Sequence, residues 1–226
     1  MHVEIPKAKL HSLKEFTMHY LMIVLSILTA LGLEQWIERT HHNHAAAFAS
    51  QQIEAELRAN MASVQSSLNN NFEHLKPLQH MDELLTQDIK SGVPDATINQ
   101  HIQANKDQFK LSLDWPTLAS QAWDVAVANQ SAAWLDVNDL RTYSTAYAAQ
   151  RDAAAWMTHD STLFLTAPRM ATLRTELNLG VSVQPVEFVA VLRQMIDTAM
   201  QTQSHLQQME ARLAHALHTE TDQSKS

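Results

Sequence analysis

Apolar and polar positions follow helical spacing along most of the chain, and the first segment of the pattern is the most apolar. Residues 16–33 (FTMHYLMIVLSILTALGL) run for 18 positions without a formally charged side chain. At a rise of about 1.5 Å per residue, a helix of this length covers roughly 27 Å, close to the thickness of the hydrocarbon core of a bilayer. We therefore predict a transmembrane helix over residues 16–37, with Lys14, Tyr20 and Trp36 at the membrane interfaces.

This apolar segment has two other interpretations. It could be a buried core helix, or a cleaved signal peptide, since residues 21–33 have the length of a signal-peptide core and follow three lysines. However, the first small-x-small cleavage motif lies at residues 45–49, well past the apolar run and beyond three charged side chains. The sequence therefore favours an uncleaved signal-anchor.

The lysines around the segment predict its orientation. Lys7, Lys9 and Lys14 precede the apolar run, whereas the twenty residues after it contain one arginine, Arg39, and no lysine. Because positive charge is retained in the cytoplasm, residues 1–15 are predicted to be cytoplasmic and residues 38–218 periplasmic, as in a single-pass protein of a bacterial inner membrane.

Two longer amphipathic patterns follow the predicted anchor. The first has an 11-residue repeat, typical of a nearly straight stripe on a helix, and consists of Ile53, Leu57, Met61, Val64, Leu68, Phe72 and Leu75. The second covers residues 185–217 and has a seven-residue repeat of Leu192, Ala199, Leu206 and Leu213. We expect the two helices to pack antiparallel, and the first to continue from the anchor unless a hinge interrupts it at residues 41–44.

Prolines and glycines divide the remaining chain. They predict shorter helices at residues 78–90, 95–109, 116–129 and 138–165, an extended connector at residues 179–183, and a disordered polar tail at residues 219–226. The predicted fold class is all-α: an N-terminal transmembrane helix followed by an antiparallel helical bundle.

Composition excludes several classes of function. The chain has three glycines, which stand far apart, and no cysteine, so phosphate-binding loops, disulfide scaffolds and zinc ribbons are excluded. The formal net charge of -8 disfavours a nucleic-acid partner, because such binding depends on Lys and Arg neutralising phosphates. No cofactor is predicted, and the expected partners are membrane lipid and either another protein or a second copy of the chain.

The segment that leaves the predicted membrane resembles a family of bacterial single-pass proteins that carry a domain of unknown function. The resemblance rests on the apolar span running into residues 31–39 (LGLEQWIER), followed by Ile53, Glu56, Leu57 and Asn60, with a fainter echo at residues 122–123 and 143–147. It implies an anchored helical architecture. The family has no established activity, so the resemblance implies no catalytic residue.

Thirteen histidines make metal binding the first chemistry to consider. His41 and His44 share one helical face just beyond the predicted membrane interface and are weak candidates for a metal site, since further ligands are needed. The alternative is a solvated histidine cluster that binds lipid headgroups when protonated. His159, Asp160 and Ser161 are consecutive, so their side chains point in different directions and do not form a triad by sequence.

Aromatic residues are concentrated in residues 109–164. The ligand- or partner-surface candidates there are Trp115, Trp123, Trp134, Tyr143 and Tyr147, with Arg141 and Arg151 as candidate anchors for an anionic ligand. The alternative is that these aromatic side chains form the core of a helical subdomain.

The leading functional hypothesis is therefore a non-enzymatic, membrane-anchored interaction or accessory protein that self-associates or joins a larger membrane complex. The second hypothesis is an extracytoplasmic ligand-binding or sensor module that uses the aromatic region. A metal-dependent enzyme is the third.

Overall fold

The computed structural model describes the backbone of residues 13–165 and 168–223 and the side chains of residues 16–158 and 168–217. This part of the chain is all-helical and contains no strand, which confirms the predicted fold class. The helices are α1 (Leu13–Lys90), α2 (Asp95–Ala104), α3 (Gln121–Ala128), α4 (Val137–Leu165), α5 (Pro168–Asn178) and α6 (Pro185–Gln223), with short 3-10 turns at Lys106–Gln108 and Ser131–Trp134.

The helix α1 is unbroken over 78 residues, or about 117 Å, so no hinge occurs at residues 41–44. The prediction of a separate helix at residues 78–90 was wrong, because α1 continues through Pro77. A proline inside a helix costs about 3 kcal/mol. Here the buried stripe continues on both sides of it, through Leu75 and Leu78, and burial of these side chains offsets the cost.

The helix α6 packs antiparallel against α1, as predicted. Gln65 donates a hydrogen bond to Glu210 at 2.8 Å, and Arg193 donates one to Asp82 at 2.8 Å. Going from the first contact to the second, the chain moves forward along α1 but backward along α6, so the two helices run in opposite directions. The seven-residue repeat of α6 lies on its buried face, since Leu192, Ala199, Leu206 and Leu213 are all buried.

Buried apolar side chains form two cores along this helix pair. The proximal core, nearer to the apolar N-terminal segment, joins α1, α3, α4 and the second half of α6, through residues such as Ile53, Leu57, Tyr147 and Leu213. The distal core joins α1, α2, α5 and the first half of α6, through residues such as Leu85, Ile102, Leu177 and Phe188. The two cores are separated by a polar layer, defined here as the buried residues Ser67, Asn71 and Thr202.

The apolar stripe predicted for α1 is only partly correct. Ile53, Leu57, Val64 and Leu75 are buried, but Met61 and Leu68 are only partly buried and Phe72 is 50% exposed. Three polar residues, Asn60, Ser67 and Asn71, are buried in the same stretch. The apolar pattern misplaced part of the stripe because this face of α1 forms hydrogen bonds to the backbone of another segment as well as packing against apolar side chains.

The backbone that α1 binds is residues 109–120, which have no regular secondary structure and which we call the strap. Asn60 donates to the carbonyl of Ala119 at 2.8 Å and accepts from its N–H at 2.9 Å. Asn71 makes the same pair of bonds with Asp114, at 2.9 and 2.6 Å. Each asparagine side chain thus bonds to both the N–H and the carbonyl of one strap residue. We call each such pair of hydrogen bonds an asparagine clasp.

The clasps fix the conformation of the strap. Asn60 and Asn71 lie about three helical turns apart on α1, and each turn of an α-helix rises by about 5.4 Å. The short stretch from Asp114 to Ala119 spans this separation only as nearly fully extended chain, in which each residue advances by about 3.3 Å. For this reason α3 begins at Gln121, and the prediction of a helix from residue 116 was wrong in its first turn.

A third clasp lies in the distal half of the bundle. Asn99 of α2 donates to the carbonyl of Val183 at 3.0 Å and accepts from its N–H at 2.7 Å. Val183 belongs to the connector before α6, which was predicted to be extended over residues 179–183. In the structure residues 179–180 form a turn and residues 181–184 have no regular secondary structure. The clasp positions the first turn of α6 against α2.

The remaining helices differ in detail from the predictions. α4 agrees within one residue at its start, whereas α2 ends five residues earlier than predicted and is followed by a 3-10 turn. The sequence analysis missed α5, which buries only Leu173 and Leu177. The tail that was predicted to be disordered from residue 219 is helical as far as Gln223, and residues 224–226 lie outside the described part.

Removing a clasp is expected to destabilise the bundle. Asn60→Ala or Asn71→Ala leaves a strap N–H and a strap carbonyl without their partner, at a cost of about 1–3 kcal/mol for each variant. Urea denaturation of the full chain in mild detergent, followed by circular dichroism, measures this loss. Asn69→Ala is the matched control, since Asn69 is exposed on the same helix; an equal loss in the control would contradict the role of the clasps.

Candidate functional site

The N-terminal part of α1 has no protein partner in the described part of the chain. An 18-residue window of this helix has a mean hydropathy of 1.9, and none of the window is buried. Tyr20 and Trp36 are 60% and 66% exposed, and the side chain of Lys14 lies outside the described residues. By length and composition, α1 is therefore able to cross a membrane.

Two of the candidate aromatic residues lie in the proximal core. Tyr143 and Tyr147 are each 1% exposed, so neither presents a surface to a ligand or partner. Tyr143 shares a hydrogen bond of 2.8 Å with Ser50 of α1, and Trp123 of α3 stacks on Tyr147 with ring centroids 5.4 Å apart. These rings join α1, α3 and α4, and they belong to the packed core of the proximal half.

The other two candidate tryptophans lie in separate places. Trp115 of the strap meets Trp156 of α4 edge to face at 5.6 Å, and Trp156 also contacts the His205 ring of α6 at 4.5 Å. Trp134 stacks on His42 of α1, with centroids 4.0 Å apart and planes inclined by 15°. The aromatic candidates thus occupy three packing sites.

The two candidate arginines, Arg141 and Arg151, lie exposed on α4. None of the seven ligand-surface candidates lines the open cavity of about 410 Å³ between α1 and α3 or the open groove of about 670 Å³ between α1 and α6. The structure therefore does not bring the seven residues together in one pocket.

The carboxylate of Glu56 joins α1, α3 and α4 in the proximal half. One of its oxygens accepts the hydroxyl of Tyr147 at 2.6 Å, and the other accepts the N–H of Ala122 at 3.0 Å. The pKa of Tyr147 is raised, mainly because the phenol is buried and secondly because it donates a hydrogen bond to this carboxylate. Glu56 was not among the candidate site residues predicted from the sequence. Its partners Tyr147 and Ala122 lie 91 and 66 residues further along the chain, so no local signal could have located it.

Beside Glu56 lies an open cavity of about 410 Å³ between α1 and α3. Its wall contains the exposed apolar side chains of Phe48 and Val125 and the polar side chains of Gln52 and Asn129. A second open groove, of about 670 Å³, lies at the other end of the bundle between Ile89 of α1 and the first turns of α6, where Val186, Arg193 and Asp197 line it.

The histidine candidates lie on the exposed surface of α1. His41 and His44 are exposed, while His42 is half-buried against Trp134 and its Nε2 lies 4.0 Å from a carboxylate oxygen of Glu38. Within residues whose side chains are described, no group of three His, Asp or Glu side chains is arranged to hold a metal ion. The side chains of His159, Asp160 and Ser161 lie outside the described residues.

The chain matches no family model, no curated protein and no solved structure. The resemblance to a family of anchored bacterial proteins therefore stays a prediction.

The Tyr147 phenol is expected to make the stability of the bundle depend on alkaline pH. Its pKa is higher in the folded chain than the ordinary value of about 10, so only the unfolded chain loses this proton just above pH 10. The contribution is fully present below pH 10, and stability falls by about 1.4 kcal/mol per pH unit above it.

Urea denaturation between pH 8 and pH 11 measures this slope. Tyr147→Phe should have a shallower decline above pH 10 than the unmodified chain, because the variant lacks the phenol whose pKa is raised by folding. Parallel curves for the unmodified chain and Tyr147→Phe would show that this phenol does not stay protonated in the folded state.

Proposed function

We propose that this chain is a single-pass, membrane-anchored accessory protein that presents a helical bundle to a protein partner or to a second copy of itself. In this proposal it has no catalytic activity of its own, needs no cofactor and binds no nucleic acid. The anchored helical family that the sequence resembles has the same general architecture.

The observation that carries the proposal is the continuity of α1. One helix contains both the uncovered apolar segment and the buried stripe of the bundle. An apolar surface of this size is expensive in water, and lipid is the medium that covers an N-terminal helical segment without protein contacts. The bundle would then stand directly on its anchor, without a flexible linker.

The placement of charge supports one orientation. Three lysines precede the apolar segment and one arginine follows it closely, so we place the N-terminus in the cytoplasm and the bundle in the bacterial periplasm. Residues 1–12 lie outside the described residues, and this orientation rests on the sequence alone.

The packing of the aromatic side chains between helices supports an interaction protein over a ligand-binding module. Tyr143, Tyr147 and Trp123, which would have to line an aromatic pocket, pack between helices. The cavity beside Glu56 is open and has two exposed apolar side chains on its wall, Phe48 and Val125, which is a surface that another protein chain could cover.

The absence of cysteine makes the orientation directly testable, because a single introduced thiol has no background. In spheroplasts of a producing bacterium, a membrane-impermeant maleimide should label Ser91→Cys, at the exposed turn after α1, without permeabilisation. It should label Ala8→Cys only after the membrane is opened. The reverse pattern would overturn the orientation, and recovery of the chain in the soluble fraction would overturn the anchor.

Partner association is tested by crosslinking in native membranes and purification in mild detergent. We expect either a homo-oligomer or the same co-purifying membrane protein in repeated preparations. Phe48→Ser, which removes an exposed apolar side chain beside the α1–α3 cavity, should weaken this association if the cavity is the contact surface, and Phe72→Ser is the matched control on another part of α1. A strictly monomeric chain without a captured partner would contradict the proposal.

A further inference from the structure

The connection between α3 and α4 forms the end of the bundle nearest to the apolar segment. At the start of α3, the N–H of Ala122 bonds to Glu56, and at the end of the connection Trp134 stacks on His42. Between these two contacts the chain has therefore moved down α1 from Glu56 to His42, a rise of about 21 Å. We call residues 127–137 the tip.

After the tip, the chain reverses direction, and α4 runs away from the apolar segment. Tyr143 of α4 bonds to Ser50, and one turn later Tyr147 bonds to Glu56, so α4 runs parallel to α1. Val137, the first residue of α4, precedes Tyr143 by less than two turns, which places it about 9 Å nearer to the apolar segment than that hydrogen bond. The tip is thus a reversal that faces the membrane end of α1.

The unbroken α1 sets the distance between the tip and the predicted span. His42 follows Ile37 on this helix at a rise of about 7.5 Å. The headgroup layer on each side of a bilayer is roughly 5–8 Å thick. Because side chains of a helix lean towards its N-terminus, the ring of His42 and the Trp134 ring stacked on it lie lower than the His42 backbone.

The tip carries apolar side chains that the bundle does not cover. Val127 is 53% exposed, Trp134 is 39% exposed and Val137 is 77% exposed. The tip contains no Lys or Arg, and its one acidic residue, Asp136, accepts a hydrogen bond from the N–H of Asn138 in the first turn of α4. This combination of an amphipathic ring, apolar neighbours and no basic residue suits insertion between lipid headgroups that is driven by apolar contact and not by attraction to anionic lipid.

We propose that the tip is a second membrane contact, which inserts Trp134 and Val137 among the lipid headgroups of the leaflet through which α1 leaves the bilayer. This inference rests on the proposed anchoring of α1. The occupant is lipid because α1, through the stacking of Trp134 on His42, holds the Trp134 end of the tip at the height of the headgroups. Since the tip has no basic residue, its insertion needs no anionic lipid and is insensitive to salt.

The test uses the full chain, which lacks cysteine, reconstituted in phosphatidylcholine vesicles. Single thiols are introduced by Val137→Cys at the tip, Trp36→Cys at the end of the predicted span and Val186→Cys on the distal groove, and each is labelled with an environment-sensitive fluorophore. Val186 lines the same groove as Ile89, which lies about 70 Å beyond His42 along α1. The quencher is phosphatidylcholine with a spin label on its headgroup.

We expect the fluorophores at Val137→Cys and Trp36→Cys to emit at shorter wavelength than the fluorophore at Val186→Cys and to lose most of their emission to the quencher. The fluorophore at Val186→Cys should be unaffected by the quencher. The loss at Val137→Cys should be the same in low and high salt and with added phosphatidylglycerol.

Other patterns separate the two proposals. Quenching at Trp36→Cys but not at Val137→Cys would overturn the tip contact and leave the anchor standing. No quenching at either position would overturn the anchor and the tip contact together. Quenching at Val186→Cys as well would show a bundle lying flat on the membrane, and quenching of Val137→Cys only with anionic lipid would show electrostatic attachment; either result would overturn the tip contact as proposed.

Discussion

The structure depends on one constraint, the hydrogen bonding of a backbone segment that belongs to neither helix nor sheet. The strap crosses the face of α1 partly buried, and a buried N–H or carbonyl without a partner costs more free energy than most side-chain contacts gain. Asn60 and Asn71 supply the missing partners. They hold the strap on one path along α1, and they thereby help to set where α3 and α4, which follow it, meet α1.

The same constraint explains which features were predictable from the sequence. The buried face of α6 consists of apolar side chains at seven-residue spacing, so its pattern predicted both the helix and its packing face. On α1, two of the buried positions are the clasp asparagines, and a prediction based on apolar residues places asparagines at the solvent-exposed face. The pattern therefore shifted the stripe towards Met61, Leu68 and Phe72. No local signal shows that an asparagine will bind a backbone segment so far away along the chain.

The other differences have similar causes. Pro77 predicted a helix boundary, but tertiary burial on both sides of it decided the conformation. The concentration of aromatic residues predicted either a ligand or partner surface or the core of a helical subdomain. Their distribution over three packing sites depends on how α3, α4 and the strap meet α1. The role of Glu56 depends on Tyr147, 91 residues further along the chain. Such pairings arise only in the folded molecule.

The continuity of α1 through its full length has a mechanical consequence. A helix that leaves a bilayer through a flexible linker lets its domain reorient freely, whereas a bundle built on the same helix moves with it as a lever. The distal end of α1, at Lys90, is about 72 Å beyond His42. With α1 anchored as proposed, a change of about 10° in the tilt of its apolar segment would displace that end by roughly 12 Å. A small change in bilayer thickness or in the packing of the membrane segment would thereby become a large displacement at the far end of the bundle.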